Sequence, residues 1–259
     1  MRSPMLIGDG HQRHCSDVDD PREADVTEAI ACTLRRAAGT RGRRALLATT
    51  AGVGVLAAAA LTAGLPPAER TVANVAEQVH AMMSVPLPFI GVLLANDLRR
   101  APAARVLPTL ATAALIAVAA GLAGDAFSFA ALAVSESTAR DPWAHTGVIA
   151  VAGVLVQVLA QFVGTGLGLL IGRPVWGCLA TIVLPLGAYA LLTPLGAALD
   201  WLTPYAVLQE VLAGSAGAAG WARWVTVALL WGVTLNAVGA ILLRRRAVRR
   251  APQAVGSQR

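Results

Sequence analysis

Hydrophobic residues along the chain are gathered into long uncharged stretches that follow a polar N-terminal segment. Because about 20 apolar residues cross the hydrocarbon core of a bilayer as an α-helix, each stretch predicts one transmembrane span. The predicted fold is therefore all-α, a polytopic membrane protein with six transmembrane helices. The stretches lie near residues 45–65, 80–98, 106–124, 147–171, 175–199 and 222–243.

Two places depart from this simple pattern. The second stretch is interrupted by Pro86 and Pro88, and its uncharged length barely crosses a ~30 Å core. After the third stretch, the apolar segment 127–134 is too short to span a membrane alone. It predicts either an extension of the third helix beyond Asp125 or a segment in the membrane interface.

Polar segments flank the six stretches at both ends. Residues 1–44 predict a cytoplasmic tail, in which Pro21 marks the start and Gly39 the end of a short amphipathic helix. A loosely ordered tail is the alternative. Residues 244–259 predict a basic C-terminal tail, so that the transmembrane domain is 45–243.

The basic residues indicate how the spans are oriented. All 21 are arginine, and 18 of them lie in segments that six crossings place on the same side as the N-terminus. Since basic residues stay on the cytoplasmic side, both termini are predicted to be cytoplasmic, in the plasma membrane of a bacterium. The net charge of +6 therefore reflects membrane orientation rather than nucleic-acid binding. The absence of lysine excludes a phosphate-binding loop of the Walker type, so any ATP must be bound by a partner.

The segment AQFVGTGLGLLIGRP, residues 160–174, carries four glycines. A dinucleotide-binding loop needs a preceding strand and a third glycine at GxGxxG spacing, and both are missing here. Helical spacing instead places two groups of amides and glycines each on one face of a span. These residues are predicted either to pack helices or to line a substrate path. They are Gln157, Gln161, Gly164 and Gly168 in the fourth span, and Gly232, Asn236 and Gly239 in the sixth.

Reactive side chains are scarce. His80 and His145 lie near span ends without acidic residues at metal-ligand spacing, and no HExxH motif occurs. HQRHC, residues 11–15, is better explained by a polar tail than by a metal site. No charged residue lies near a predicted span centre, which argues against a proton-coupled carrier. We therefore expect no catalysis, no metal and no cofactor.

The turn NDLRRAPAAR, residues 96–105, connects the second and third spans at the predicted cytoplasmic surface. Its arginines are explained by topology alone. The alternative is a docking surface for a soluble partner, formed by Asp97, Arg99, Arg100 and Arg105.

Taken together, the spans resemble the membrane subunit of a type-2 ABC exporter over about residues 45–246. The shared features are six spans with both ends inside, a basic turn after the second span, and an aromatic loop before the last helix. The resemblance is carried by QVLAQFVGTGLGLLIGRPVWG, ATIVLPLGAYALL, WLTPY and WGVTLNAVGAILLRRR.

The resemblance implies a permease subunit without catalysis of its own. Such a subunit pairs with a second permease subunit, identical or different, and each docks a separate ATP-binding subunit. By position, the tail helix and the turn with Asp97, Arg99, Arg100 and Arg105 would contact the ATPase. After the second span, relatives often carry an acidic residue and a Gly-Thr pair. At this place, residues 96–100, the chain has the sequence NDLRR instead. The alternative function is a non-transporting scaffold or signalling protein whose tail binds a cytosolic partner.

Overall fold

The structure, a computed structural model, is helical and without strands over the residues that it describes, 26–37, 39–100 and 106–256. Short 3-10 turns cover Pro67–Glu69 and Thr193–Ala198, and a π-helical segment covers Ala228–Thr234. The α-helices of this part of the chain are α1 (Val26–Ala37), α2 (Arg41–Gly64), α3 (Val72–Met83), α4 (Leu87–Arg100), α5 (Val106–Ala133), α6 (Thr146–Leu170), α7 (Pro174–Leu192), α8 (Leu199–Leu202), α9 (Pro204–Leu212), α10 (Ala218–Val227) and α11 (Leu235–Gly256).

Six helical segments of the described chain are long and apolar enough to cross a membrane, which confirms the six predicted spans and a multi-pass membrane protein. The second span combines α3 and α4, and the last combines α10, the π-helical segment and the first part of α11. The spans are Arg41–Gly64, Val72–Arg100, Val106–Ala133, Thr146–Leu170, Pro174–Leu192 and Ala218–Arg245.

The second span is longer than predicted and is interrupted. It begins at Val72, eight residues before the predicted start, and covers 29 residues. The α-helix stops after Met83 and resumes at Leu87. Pro86 accounts for this break, because proline lacks the N–H of a helical hydrogen bond and disfavours helix at the residue before it.

The third span, α5, continues through the apolar segment 127–134 as far as Ala133. The extension of the third helix is thus confirmed. With 28 residues, α5 is about 42 Å long. Asp125, predicted to follow the span, lies inside it and is buried.

The interrupted second span and α6 form the centre of the bundle. In the most apolar part of each, 56% and 50% of the residues are buried, against 17% for both α2 and α7. Glycine allows the central contact: a Cβ at Gly91 of α4 would lie 2.7 Å from the carbonyl oxygen of Gln161. The two backbones are therefore in direct contact, as small residues permit between membrane helices.

Two ends of the bundle can be distinguished by their contacts. At one end, here called the basic end, Arg43 of α2 forms an ion pair with Asp97 of α4, and Leu243 packs beside Leu98 and Leu169. At the other end, here called the loop end, the connections bind one another through backbone hydrogen bonds. The N–H of Val72 donates to the Pro142 carbonyl at 2.8 Å, and that of Thr138 to Pro67 at 3.0 Å.

Helix α1 packs against the bundle near the basic end. Ala37 is buried against Leu94 of α4 and Ala113 of α5, while Arg35 is exposed. This is the arrangement expected of an amphipathic helix. The predicted start of this helix at Pro21 lies outside the described residues.

Candidate functional site

Three polar side chains from three spans meet inside the bundle: His80 of α3, Asp125 of α5 and Gln157 of α6. His80 Nε2 and Asp125 Oδ1 are 2.9 Å apart, and their side chains are 0% and 6% exposed. Gln157 Nε2 donates to the His80 carbonyl at 3.0 Å and lies 3.3 Å from His80 Nδ1. We call this group the His–Asp–Gln cluster.

Glycines provide the space for the imidazole. A Cβ at Gly124 of α5 would lie 2.7 Å from His80 Cε1. A Cβ at Gly153 of α6 would lie 2.9 Å from Asp125 Oδ1 and closer still to the His80 ring. The neighbouring helices are therefore shaped around His80, and an alanine at either position would press on the ring.

The contacts of the cluster fit one proton arrangement. Because Gln157 Nε2 can only donate, an imidazole that accepts at Nδ1 and carries its proton on Nε2 satisfies both ring contacts. In this tautomer Nε2 donates to Asp125 Oδ1, 2.9 Å away. Two acceptors remain buried without a partner in the described chain, Asp125 Oδ2 and Gln157 Oε1.

The His–Asp–Gln cluster lies inside the spans rather than at their ends. His80 is eight residues from the start of α3 and Asp125 is eight residues from the end of α5, about 12 Å along each helix. The expectation that no charged residue lies near a span centre is thus wrong, because Asp125 is buried inside α5 beside His80. It failed because the third span was predicted to end before Asp125.

Gln161 and two of the predicted glycines lie on the contact between α6 and α4. The amide of Gln161, with its nitrogen turned toward α4, donates to the Leu87 carbonyl at 2.7 Å and accepts from the Gly91 N–H at 3.3 Å. Gly164 lies directly against the backbone of Pro88, and a Cβ at Gly168 would be 2.8 Å from the Cα of Val92. These three residues hold two helices together where the second span resumes.

Asn236 serves the contact between α6 and α11. Its Nδ2 donates to the carbonyls of Phe162, at 2.8 Å, and Gly232, at 2.7 Å, and its Oδ1 accepts from the Thr165 hydroxyl at 2.8 Å. Gly239 packs on Leu169 of α6. The amide is thus fully occupied by helix packing.

The predicted docking turn is only partly available. Asp97 is held by Arg43, and Arg99 Nη1 donates to the Leu169 carbonyl at 2.8 Å, where α6 ends. Arg100 is exposed, and Arg105 lies outside the described residues. Two of the four candidates therefore already bind other parts of the same chain.

Neither a metal site nor a family assignment emerges. The described residues contain no group of three or more histidine, cysteine or carboxylate side chains placed to hold a metal ion. No family model, curated protein or solved structure matches the chain. The His–Asp–Gln cluster is therefore interpreted from its own geometry.

One signal in the sequence could have revealed the cluster. Apart from Asp125, the residues from Ala111 to Val134 are uncharged and free of proline, which favours a continuous helix through the carboxylate. A carboxylate inside a span needs a partner, and His80 is the histidine that lies within a neighbouring apolar stretch.

Proposed function

We propose that this chain is the membrane-spanning permease subunit of an ATP-driven exporter in a bacterial plasma membrane. Two permease subunits would form the translocation pathway, and a separate ATP-binding subunit would dock on the basic end of each. In this arrangement the basic end faces the cytoplasm, as the distribution of arginine favours.

The observation that carries the proposal is a six-span bundle with an amphipathic helix at its basic end. Energy from a soluble ATPase must reach the spans through a surface outside the membrane. Helix α1 meets this requirement because it packs on α5, with Ala37 buried in a cluster shared with α4, while Arg35 on the same helix is exposed. A force applied to α1 would thus act directly on α5.

The intramembrane amides support a pathway between subunits rather than through one subunit. Gln161 and Asn236 are engaged in contacts between helices of the same chain. Helix α7, in contrast, buries little of itself and presents an apolar face outward. Its exposed large side chains include Val175, Trp176, Leu179, Val183, Leu184 and Leu186.

The proposal is tested by co-expressing the full chain with the ATP-binding protein encoded beside it and isolating the pair in detergent. We expect the two proteins to copurify and ATP hydrolysis to require both. Arg35→Ala with Arg100→Ala should weaken copurification, because both arginines are exposed near the basic end. Arg140→Ala, an exposed arginine at the loop end, is the matched control.

Copurification that is lost equally in the Arg140→Ala control would contradict docking at the basic end. A chain that purifies without any ATP-binding protein would contradict the proposed function. The alternative of a scaffold or signalling protein predicts that a cytosolic partner binds without ATP-dependent export from membrane vesicles.

A further inference from the structure

The His–Asp–Gln cluster lies directly before the interruption of the second span. The His80 carbonyl accepts from the Ser84 N–H at 2.9 Å, in the last turn of α3, and from Gln157 at 3.0 Å. The C-terminal end of the first half of an interrupted membrane helix carries a partial negative charge. This is the position at which membrane proteins accommodate a cation or a proton.

We propose that His80, Asp125 and Gln157 form a binding site for one proton inside the membrane domain. The assignment rests on an acid and a base 2.9 Å apart, both almost fully buried, and on an unpartnered carboxylate oxygen. It does not depend on the proposed exporter function, because proton binding is a property of this chain alone.

The charge balance identifies where the proton goes. A neutral imidazole beside a carboxylate leaves the pair with one negative charge, and an uncompensated charge is costly at membrane depth. One added proton makes the pair neutral. Asp125 Oδ2 can take it without a rearrangement, because this oxygen has no partner. Protonation of His80 Nδ1 would instead require the Gln157 amide to turn its oxygen toward the ring.

Among the described residues, the one ion-pair contact of Asp125 is with His80. Helices α5 and α6 carry no further titratable side chain there. Helix α1, which packs on α5, carries Cys32 and the exposed Arg35 among its described side chains. On α9, Glu210 is bound by Arg223 at 3.0 Å, and α3 itself carries the half-buried Glu77. The charged residues on α2 and α4 are at the basic end: Arg41, Arg43, Arg44, Asp97, Arg99 and Arg100.

Binding of the proton changes the contacts by which His80, Asp125 and Gln157 join three spans. With the proton bound, Oδ2 becomes a hydroxyl donor, and α5 no longer presents a charge to α3. Gln157 binds both the ring and the carbonyl of His80, so α6 is affected by the same event. The proton therefore acts on the last turn before the break in the second span.

The direct test follows His80 by NMR. The variant His11→Gln/His14→Gln/His145→Gln leaves His80 as the single histidine of the full chain. Its imidazole ¹⁵N signals are recorded in lipid nanodiscs at a series of pH values. We expect these signals to change with pH in the chain that keeps Asp125, because protonation of the acid removes the charge that faces His80 Nε2, and we expect Asp125→Asn to abolish this change.

Asp97→Asn, which removes a carboxylate at the basic end, is the matched control and should leave the pH response unchanged. Imidazole signals that do not move with pH would overturn the proposal. A pH response that persists unchanged in Asp125→Asn would overturn it as well, since the imidazole would then respond independently of the acid.

A second measurement needs no variant and covers the case in which Asp125→Asn does not fold. A hydrophobic carbodiimide reacts with the protonated form of a carboxyl group, and mass spectrometry identifies the modified residue. We expect modification of Asp125 in the wild-type chain, with a yield that falls as the pH rises. A yield of Asp125 modification that stays constant as the pH rises, while the yield at Glu77 falls, would overturn the proposal.

Discussion

At the scale of single residues, the glycines of this bundle have different tasks. Gly91 and Gly168 let the backbones of α4 and α6 touch. Gly124 and Gly153 instead leave room for the side chain of His80. The same residue type thus allows backbone contact between two helices at one place and leaves space for a buried ring at another.

Gly153→Ala should destabilise the protein by about 1–3 kcal/mol, because an added methyl group would overlap the His80 ring and lie 2.9 Å from Asp125 Oδ1. Thermal unfolding in detergent, followed by circular dichroism, would show a lower midpoint. Gly147→Ala on the same helix is the control, since nothing lies within 4 Å of its added Cβ. That variant should stay within about 0.5 kcal/mol of the wild type.

Equal unfolding midpoints for the two variants would mean that α6 does not press on His80. A lower midpoint for Gly147→Ala alone would mean that the first turn of α6, rather than the cluster, limits stability.

At the scale of helices, the ends are tied to their neighbours by side chains. Arg99 Nη1 donates to the Leu169 carbonyl, so a residue of α4 satisfies a terminal carbonyl of α6. The cation also lies at the negative end of the α6 dipole, where it is favourable. Arg100, one residue later, is exposed.

Arg99→Ala should therefore lower the free energy of unfolding by about 1 kcal/mol, from the lost cap and charge. Arg100→Ala should change it by less than about 0.5 kcal/mol. Thermal unfolding of the two variants in the same detergent makes the comparison. An unfolding midpoint in Arg99→Ala that equals that of the wild type would show that the cap on α6 contributes nothing measurable.

The sequence predicts the number of spans better than it predicts the ends of the helices, and the reason is physical. Long uncharged stretches give the number of spans, because only a helix satisfies its own backbone in lipid. The same stretches do not determine where each helix begins and ends. Segment 127–134 left two possibilities open, and the second span was predicted to start near His80, whereas α3 begins at Val72.

The His–Asp–Gln cluster illustrates what the sequence of one chain leaves undetermined. Gln157 is predicted either to pack helices or to line a substrate path, and its partner on the neighbouring α3, His80, is 77 residues away in sequence. Asp125 is 45 residues from His80, so no local spacing connects the two. Helical periodicity predicts which residues share a face, while the packing of three helices decides which faces meet.

At the scale of the whole molecule, arginine placement predicts the orientation in the membrane, and the contacts of the bundle make that prediction testable. The connection at Thr138 belongs to the loop end, since its N–H binds Pro67, and Ser257 lies in the basic C-terminal tail beyond the described residues.

The three native cysteines are replaced by serine, and Thr138→Cys or Ser257→Cys is then introduced. A membrane-impermeant maleimide should label Thr138→Cys in intact cells and Ser257→Cys only after permeabilisation, because retained arginines keep the tail in the cytoplasm. Detergent-solubilised samples of both variants measure full reactivity as the control. Labelling of Ser257→Cys in intact cells would place the basic end outside and contradict both the predicted orientation and a cytoplasmic ATPase docked there.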